Sequence, residues 1–173
     1  MYFVARSVFY VLMRLVVLLL VAVFFLSGCA TRKLPPYEKP LKRSQFQRVQ
    51  TTAYTHSEKD HWKYGRKNAM GTNLVSGTVS SAAADWSRWP AGTIFQLVDT
   101  KEIFRVDDYG WALAGRNVID LYKPNRAAMN QWGRRVMTIE ILKWGDDHAS
   151  YRILHPRRKH RHVKRMLRDL ERR

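Results

Sequence analysis

The chain has 173 residues, enough for one modest domain with appendages. It carries 31 Lys and Arg against 14 Asp and Glu, a formal net charge of +17, so its surroundings are anionic: phospholipid headgroups, acidic wall polymers or nucleic acid. Cys29 is the single cysteine, which excludes an internal disulfide.

Residues 1–28 read as a leader. Arg6 and Arg14 flank its start, and an unbroken apolar run, LVVLLLVAVFFL, fills 15–26. That run has the length of a signal-peptide core and falls short of the ~20 residues a membrane span needs. Leu26-Ser27-Gly28-Cys29 resembles the bacterial lipobox. The resemblance implies cleavage before Cys29, lipidation of its sulfur and acylation of the new N-terminus. Several acyl chains on one residue anchor stably where a single chain holds weakly. Ala30 follows where aspartate would retain the protein at the inner membrane, so the resemblance implies the outer membrane. The expected location is the cell envelope, lipid-anchored and facing the periplasm. Export removes nucleic acid from the candidate partners, and loss of Arg6 and Arg14 leaves a side-chain charge of +15. An ordinary secretory leader or an uncleaved anchor with a chance cysteine are the plain alternatives.

Residues 29–48 hold the cysteine and a basic, proline-rich stretch without periodicity, expected as an extended tether. Its charges either rest on anionic headgroups or are simply solvated. The folded domain is expected over 49–155. VQTTAYT at 49–55 is β-branched and predicts a strand; 56–73 is polar and loop-like. Residues 74–84 predict a glycine-interrupted strand pair, and 85–93 a turn-rich segment. Strands follow at 93–98 and 102–106, then a glycine-punctuated loop, then a strand at 118–122. Pro124 and Gly133 bracket a short helix. Residues 136–142, VMTIEIL, alternate cleanly and predict a strand, and 149–154 an edge strand. Many short strands with glycine turns argue for a barrel or sandwich. In the tail, 156–173, Val163, Met166, Leu167 and Leu170 recur at helical spacing among basic residues. Such a helix lies on an anionic membrane or wall polymer, or packs its stripe on the barrel and leaves a solvated charged face.

Asp85, Asp108 and Asp120 sit beside glycine-rich turns or in a strand. Asp85 also suits a turn cap and Asp108 a hairpin. Asp120 lies in an apolar strand and must face water or a site, because an unpartnered buried carboxylate is costly. The order of segments resembles the three-aspartate (3D) domain of membrane-bound lytic transglycosylase A and stationary-phase-survival-type muralytic proteins. The matching pieces are TTAYT at 51–55, Gly71-Thr72, AAADWSRWPAGT at 82–93, DYGWALAG at 108–115, IDLY at 119–122 and WGRRVMTIEIL at 132–142. Two departures stand at the proposed site: Trp111 occupies the second glycine of the family loop, and the gap from Asp108 to Asp120 is one residue longer.

The resemblance implies an all-β fold, a small double-psi β-barrel with a short helix. It also implies cleavage of the β-1,4 bond between N-acetylmuramic acid and N-acetylglucosamine to a 1,6-anhydro product. A single carboxyl protonates the leaving oxygen and then accepts the proton of the sugar's own 6-hydroxyl, whose proximity assists attack. The family's acid falls on Asp108, with Asp107 the competing candidate; strand alternation aims those two side chains to opposite sides. Asp120 is expected to tune or orient Asp108, and Asp85 to form the site wall, both raising the proton affinity of Asp108 if ionised. Tyr54, Thr72, Gly110 and Trp111 are candidate substrate-binding residues. Trp86, Trp89 and Trp111 either stack on sugar rings or pack in the core. His56, Asp60 and His61 invite a metal, but no further ligands complete a set, so no metal or cofactor is expected. Two further readings stand beside the enzyme: a barrel that grips glycan without cutting, and a structural lipoprotein bridging membrane and wall. The expected partners are peptidoglycan glycan strands, and the membrane through Cys29 and the basic tail.

Overall fold

The computed structural model describes residues 33–59 and 61–173, together with the pair 13–14. The expected leader apart from that pair, the expected lipidation site Cys29, and Asp60 lie outside the described residues. Six strands form a closed barrel: β1 (Phe46–Tyr54), β2 (Val79–Ala83), β3 (Ile94–Leu97), β4 (Ile103–Asp108), β5 (Val118–Tyr122) and β6 (Arg135–Lys143). Their order around the barrel is β1-β5-β2-β4-β3-β6. β1 runs parallel to β5 and β2 parallel to β4, while the other neighbours are antiparallel. β1 and β2, and β4 and β5, are consecutive in the chain but not neighbours in the barrel, so two long connections, 55–78 and 109–117, cross between strands.

The alternation of β6 puts Met137, Ile139 and Ile141 inside, with Val49, Ala82, Phe104, Val106, Ile119 and Leu121 facing them from other strands. Each large side chain so buried stabilises the fold by ~1.5–3 kcal/mol. Phe95 and Phe104, register partners on β3 and β4, stack with ring centroids 5.6 Å apart. Trp86 and Trp89 are fully buried in this core. Neither is available to stack on a sugar, which settles those two in favour of packing.

Among the described residues after the barrel's first strand, three helices complete the fold: α1 (Arg126–Trp132), α2 (Asp147–Leu154) and α3 (Arg161–Glu171). The Asn125 side chain caps α1 by accepting from Ala128 N at 2.9 Å, and Gly133 closes it with φ 63°. Residues 149–154, expected as an edge strand, are helical. Asp146 caps that helix by accepting from Ala149 N, Asp147 complements its N-terminal dipole, and Ser150 Oγ holds Ala91 N at 2.8 Å. Only the second half of the strand pair expected at 74–84 forms. Val75 O instead accepts from Ser81 N and Val75 N donates to Ser81 Oγ, which ties that stretch locally. β1 starts three residues earlier than expected because Phe46 pairs with Glu140.

The tail and the described part of the proline-rich stretch, from residue 33, pack on the barrel. Val163 and Met166 of α3 are fully buried in the main core, with Leu167 beside them. In the proline-rich stretch, Glu38 accepts from Asn117 N at 2.7 Å and pairs with Arg116, and Tyr37 lies under the guanidinium groups of Arg88 and Arg165. Among the described residues no helix is long and apolar enough to cross a membrane.

Candidate functional site

β2 lies between β4 and β5, and Ala83 is the register partner of Asp108 on one side and Asp120 on the other. Thr52 continues the row on β1. Register partners point to the same face of a sheet. Asp108, Ala83, Asp120 and Thr52 thus form one row on the outer face of the barrel. Asp108 and Asp120 are two strand spacings apart, roughly 10 Å between backbones. Tyr54 and Tyr122 sit two residues farther along β1 and β5, rings 5.6 Å apart and edge-on. With Ala83 and Val118 they form a second apolar cluster, and each long connection adds a leucine to it, Leu74 and Leu113.

Asp108 ends β4 and is 8 % exposed. Its backbone carbonyl accepts from Trp86 Nε1 at 2.8 Å and from Ala84 N, so the core fixes its position from behind. Its Oδ1 accepts from Tyr109 N at 2.9 Å and Ala69 N at 3.1 Å. Its Oδ2 receives only the longer approach of the Tyr54 hydroxyl, 3.4 Å. Oδ1 is committed as an acceptor, which leaves Oδ2 as the oxygen that carries a proton. Burial pushes the Asp108 carboxyl up to about 7; the Tyr109 N–H opposes this and the charge of Asp107 adds to it. The Tyr54 phenol is pushed up by burial and by the neighbouring carboxylates, and so remains a donor.

A β-bulge explains the place of Asp107. Ala82 pairs with Val106 and Ala83 with Asp108, so Asp107 is the extra residue. Alternation between the two aspartates is lost, and the expectation that they point to opposite sides fails. Asp107 is fully buried on the outer side of the sheet, where Ser81 Oγ donates to its Oδ2 at 2.8 Å and Arg105 approaches at 3.5 Å. Burial raises its carboxyl as well. The chief neighbouring charge acting on Asp108 is therefore Asp107, where the sequence points to Asp120 and Asp85.

Asp120 Oδ1 accepts from Thr52 Oγ1 at 2.7 Å. Burial pushes its carboxyl up to about 6, opposed by the Thr52 hydroxyl and aided by Glu58. Asp85 is fully buried away from this row. Its oxygens accept from Ser87 N at 2.8 Å, Ser87 Oγ at 2.6 Å and Gly115 N, and Arg88 lies 3.8 Å away. It is a structural carboxylate that fastens the turn after β2 to the 109–117 connection.

Thr72 is exposed, and its backbone and hydroxyl are bound by Asn68, which shapes the turn that presents Ala69 N to Asp108. Gly110 and Trp111 follow Tyr109 directly and are partly exposed. His56 Nδ1 meets Tyr122 OH at 2.8 Å, and His61 Nε2 meets Lys67 O at 3.2 Å. Among the described residues no cluster of three His, Cys, Asp or Glu stands together to hold a metal.

Arg157 is the site residue that sequence reasoning missed. It lies in the 3-10 turn between α2 and α3, in the stretch expected as a tail. Its Nη1 donates to Ala69 O at 2.9 Å and approaches Tyr109 OH at 3.4 Å. It thus ties together the two residues whose N–H groups hold Asp108 Oδ1. No motif or spacing in the tail signals this.

No protein-family model matches the chain, and no curated protein matches it.

Proposed function

We propose that the protein is a lipid-anchored lytic transglycosylase of peptidoglycan, with Asp108 as its one acid/base. The observation that carries this reading is the Asp108 carboxyl, held at about 7 on the outer face of the barrel with one oxygen left for a proton. A carboxylic acid that is part-protonated near neutral pH can donate to a glycosidic oxygen and then take a proton back. Ordinary glycosidases need two carboxylates flanking the bond. Asp107 is held by Ser81, and Asp120, with its carboxyl at about 6, stands across Ala83 bonded to Thr52; Asp108, whose carboxyl lies higher at about 7, is the acid in this reading.

In this mechanism Oδ2 of Asp108 protonates the leaving oxygen. The 6-hydroxyl of the muramyl ring then closes on its own anomeric carbon and returns its proton to Oδ2. Ala69 N, Tyr109 N and Tyr54 OH stabilise the transient carboxylate between the two steps. The closed barrel with parallel pairs β1/β5 and β2/β4 supports a double-psi arrangement of the 3D kind. Cys29, lipidated, places the domain in the envelope, with the outer membrane the compartment its Ala30 neighbour favours.

The test is digestion of purified sacculi by the full chain in mild detergent, with mass spectrometry of the released fragments. Anhydro-muropeptides that vanish with Asp108→Asn support the reading. Reducing-end products would replace it with a hydrolase. A second reading, glycan binding without cutting, is favoured by Trp111 in the loop beside Asp108. It requires sedimentation with sacculi and no released products.

A further inference from the structure

The tail presents nine Lys and Arg against two acids over residues 156–173. α3 divides this composition cleanly. Val163, Met166 and Leu167 are consumed by the barrel core, while Arg161, Lys164 and Arg168 are exposed. With its apolar stripe already buried, the helix has none left to insert among acyl chains, and what it offers a partner is charge. A groove of about 630 Å³ runs beside it, lined by His155, Arg158, Arg161, Lys164, Arg165 and Arg168, with Glu171 the one acid at its edge. That volume suits a small anionic group.

The chain itself says which anion lies near. Leu34 lines the same groove, and Arg165 Nη1 donates to Pro35 O at 2.7 Å and to Ala114 O at 3.1 Å. The polypeptide thus joins the domain at the groove. Leu34 is five residues after Cys29. Five residues reach at most about 18 Å when fully extended. A lipidated Cys29 would hold the groove within about two Debye lengths of the bilayer at physiological salt. A wall polymer has no such tie to this face.

We propose that the cationic face of α3 and its groove dock on anionic phospholipid headgroups of the membrane that carries the anchor. This rests on the lipid-anchor part of the functional reading and is independent of the glycan chemistry. Docking at this face orients the domain on the membrane, so that the Asp108 row is presented in one direction instead of tumbling on its tether.

The experiment reconstitutes the purified full chain in vesicles of phosphatidylcholine alone or with phosphatidylglycerol. An amine-acetylating reagent then reads the modification rate of Lys164, with exposed Lys101 on the β3–β4 turn as control. Lys164 is expected to react on the order of fivefold more slowly on the anionic vesicles, recovering in high salt, with Lys101 unchanged. The double substitution Arg161→Gln/Arg168→Gln, at two exposed positions, is expected to remove the difference. Equal Lys164 rates on both vesicles overturn the proposal. So does slowing that appears only when sacculi are added, which would assign the face to a wall polymer. The intact mass of the same sample reads acylation of Cys29, so failure of the anchor and failure of the docking are seen separately.

Discussion

Asp107 and Asp108 are neighbours in sequence, yet the bulge opposite Ala82 and Ala83 turns both carboxyls to the outer side of the barrel. Two buried carboxyls this close cannot both ionise cheaply. Burial chiefly, and the charge of Asp107 in addition, keep the proton on Asp108 to about pH 7, while Ser81 and Arg105 stabilise charge on Asp107. The two roles are set by what each oxygen touches.

Asp108→Asn should abolish release of anhydro products and stabilise the fold at alkaline pH. Folded Asp108 binds its proton more tightly, at about 7 against 3.8 unperturbed. Its contribution to stability is therefore full below about pH 4 and is lost as pH rises through about 7. Asparagine keeps an oxygen for the N–H groups of Ala69 and Tyr109 and carries no charge. Urea titration should show the variant more stable at pH 8 by on the order of 2 kcal/mol, with the gap closing toward pH 4. Equal pH dependence of the two proteins would remove the case for a buried, protonated Asp108.

Asp107→Asn tests the neighbour's charge. The substitution keeps an acceptor for Ser81 Oγ and removes the repulsion that holds Asp108 up. Wild-type kcat/KM should decline above about pH 7, where the acid form is lost. In the variant that alkaline limb should move to lower pH while some activity remains below it. An unmoved limb would mean that burial alone sets Asp108.

Arg157→Ala should loosen the frame around Asp108 without touching substrate. Loss of the bond to Ala69 O and of the contact with Tyr109 frees both donors to Oδ1. Those donors lower the Asp108 carboxyl, so the alkaline limb should shift upward. A fall in kcat of about tenfold, some 1.4 kcal/mol, with KM little changed would mark a positioning residue. Loss of stability with an unshifted pH profile would mark a merely structural one.

The sequence made the barrel legible where pattern reports directly on burial. β6 is plain because Met137, Ile139 and Ile141 alternate with polar neighbours. α3 is plain because Val163, Met166 and Leu167 share a face. The 149–154 segment misled because it is short and mixed, and the deciding signal was the capping Asp146 upstream of it. The outward place of Asp120 followed from its apolar neighbours, whereas Asp107 depended on a bulge that no local pattern announces. Arg157 was illegible for a similar reason: its partners are 88 and 48 positions away.

Gly145→Ala tests the turn that follows Asp85. A methyl group there would run into the carbonyls of Pro90 and Ala91 and lie 2.6 Å from Thr93 N, all of them backbone. Backbone cannot step aside as a flexible side chain can. Thermal unfolding should show a loss of at least about 2 kcal/mol. An unchanged melting temperature would mean that the 90–93 turn is not held against Gly145.

The cationic tail should prove part of the fold. Met166 is fully buried in the core that also holds Leu154 and Trp89. Met166→Ala should cost ~2–5 kcal/mol by denaturant titration, as a core truncation does. Deleting 156–173 removes Val163, Met166 and Leu167 together, and with them Arg157, the clamp on Ala69. The truncated chain should unfold at much lower urea and lose cutting as well as the docking of the α3 face, while its anchor at Cys29 stays. A truncated chain that keeps its midpoint would mean that α3 rests on a barrel complete without it. The charged-face substitutions Arg161→Gln and Arg168→Gln should leave that midpoint in place, which separates what α3 does for the core from what it offers a partner.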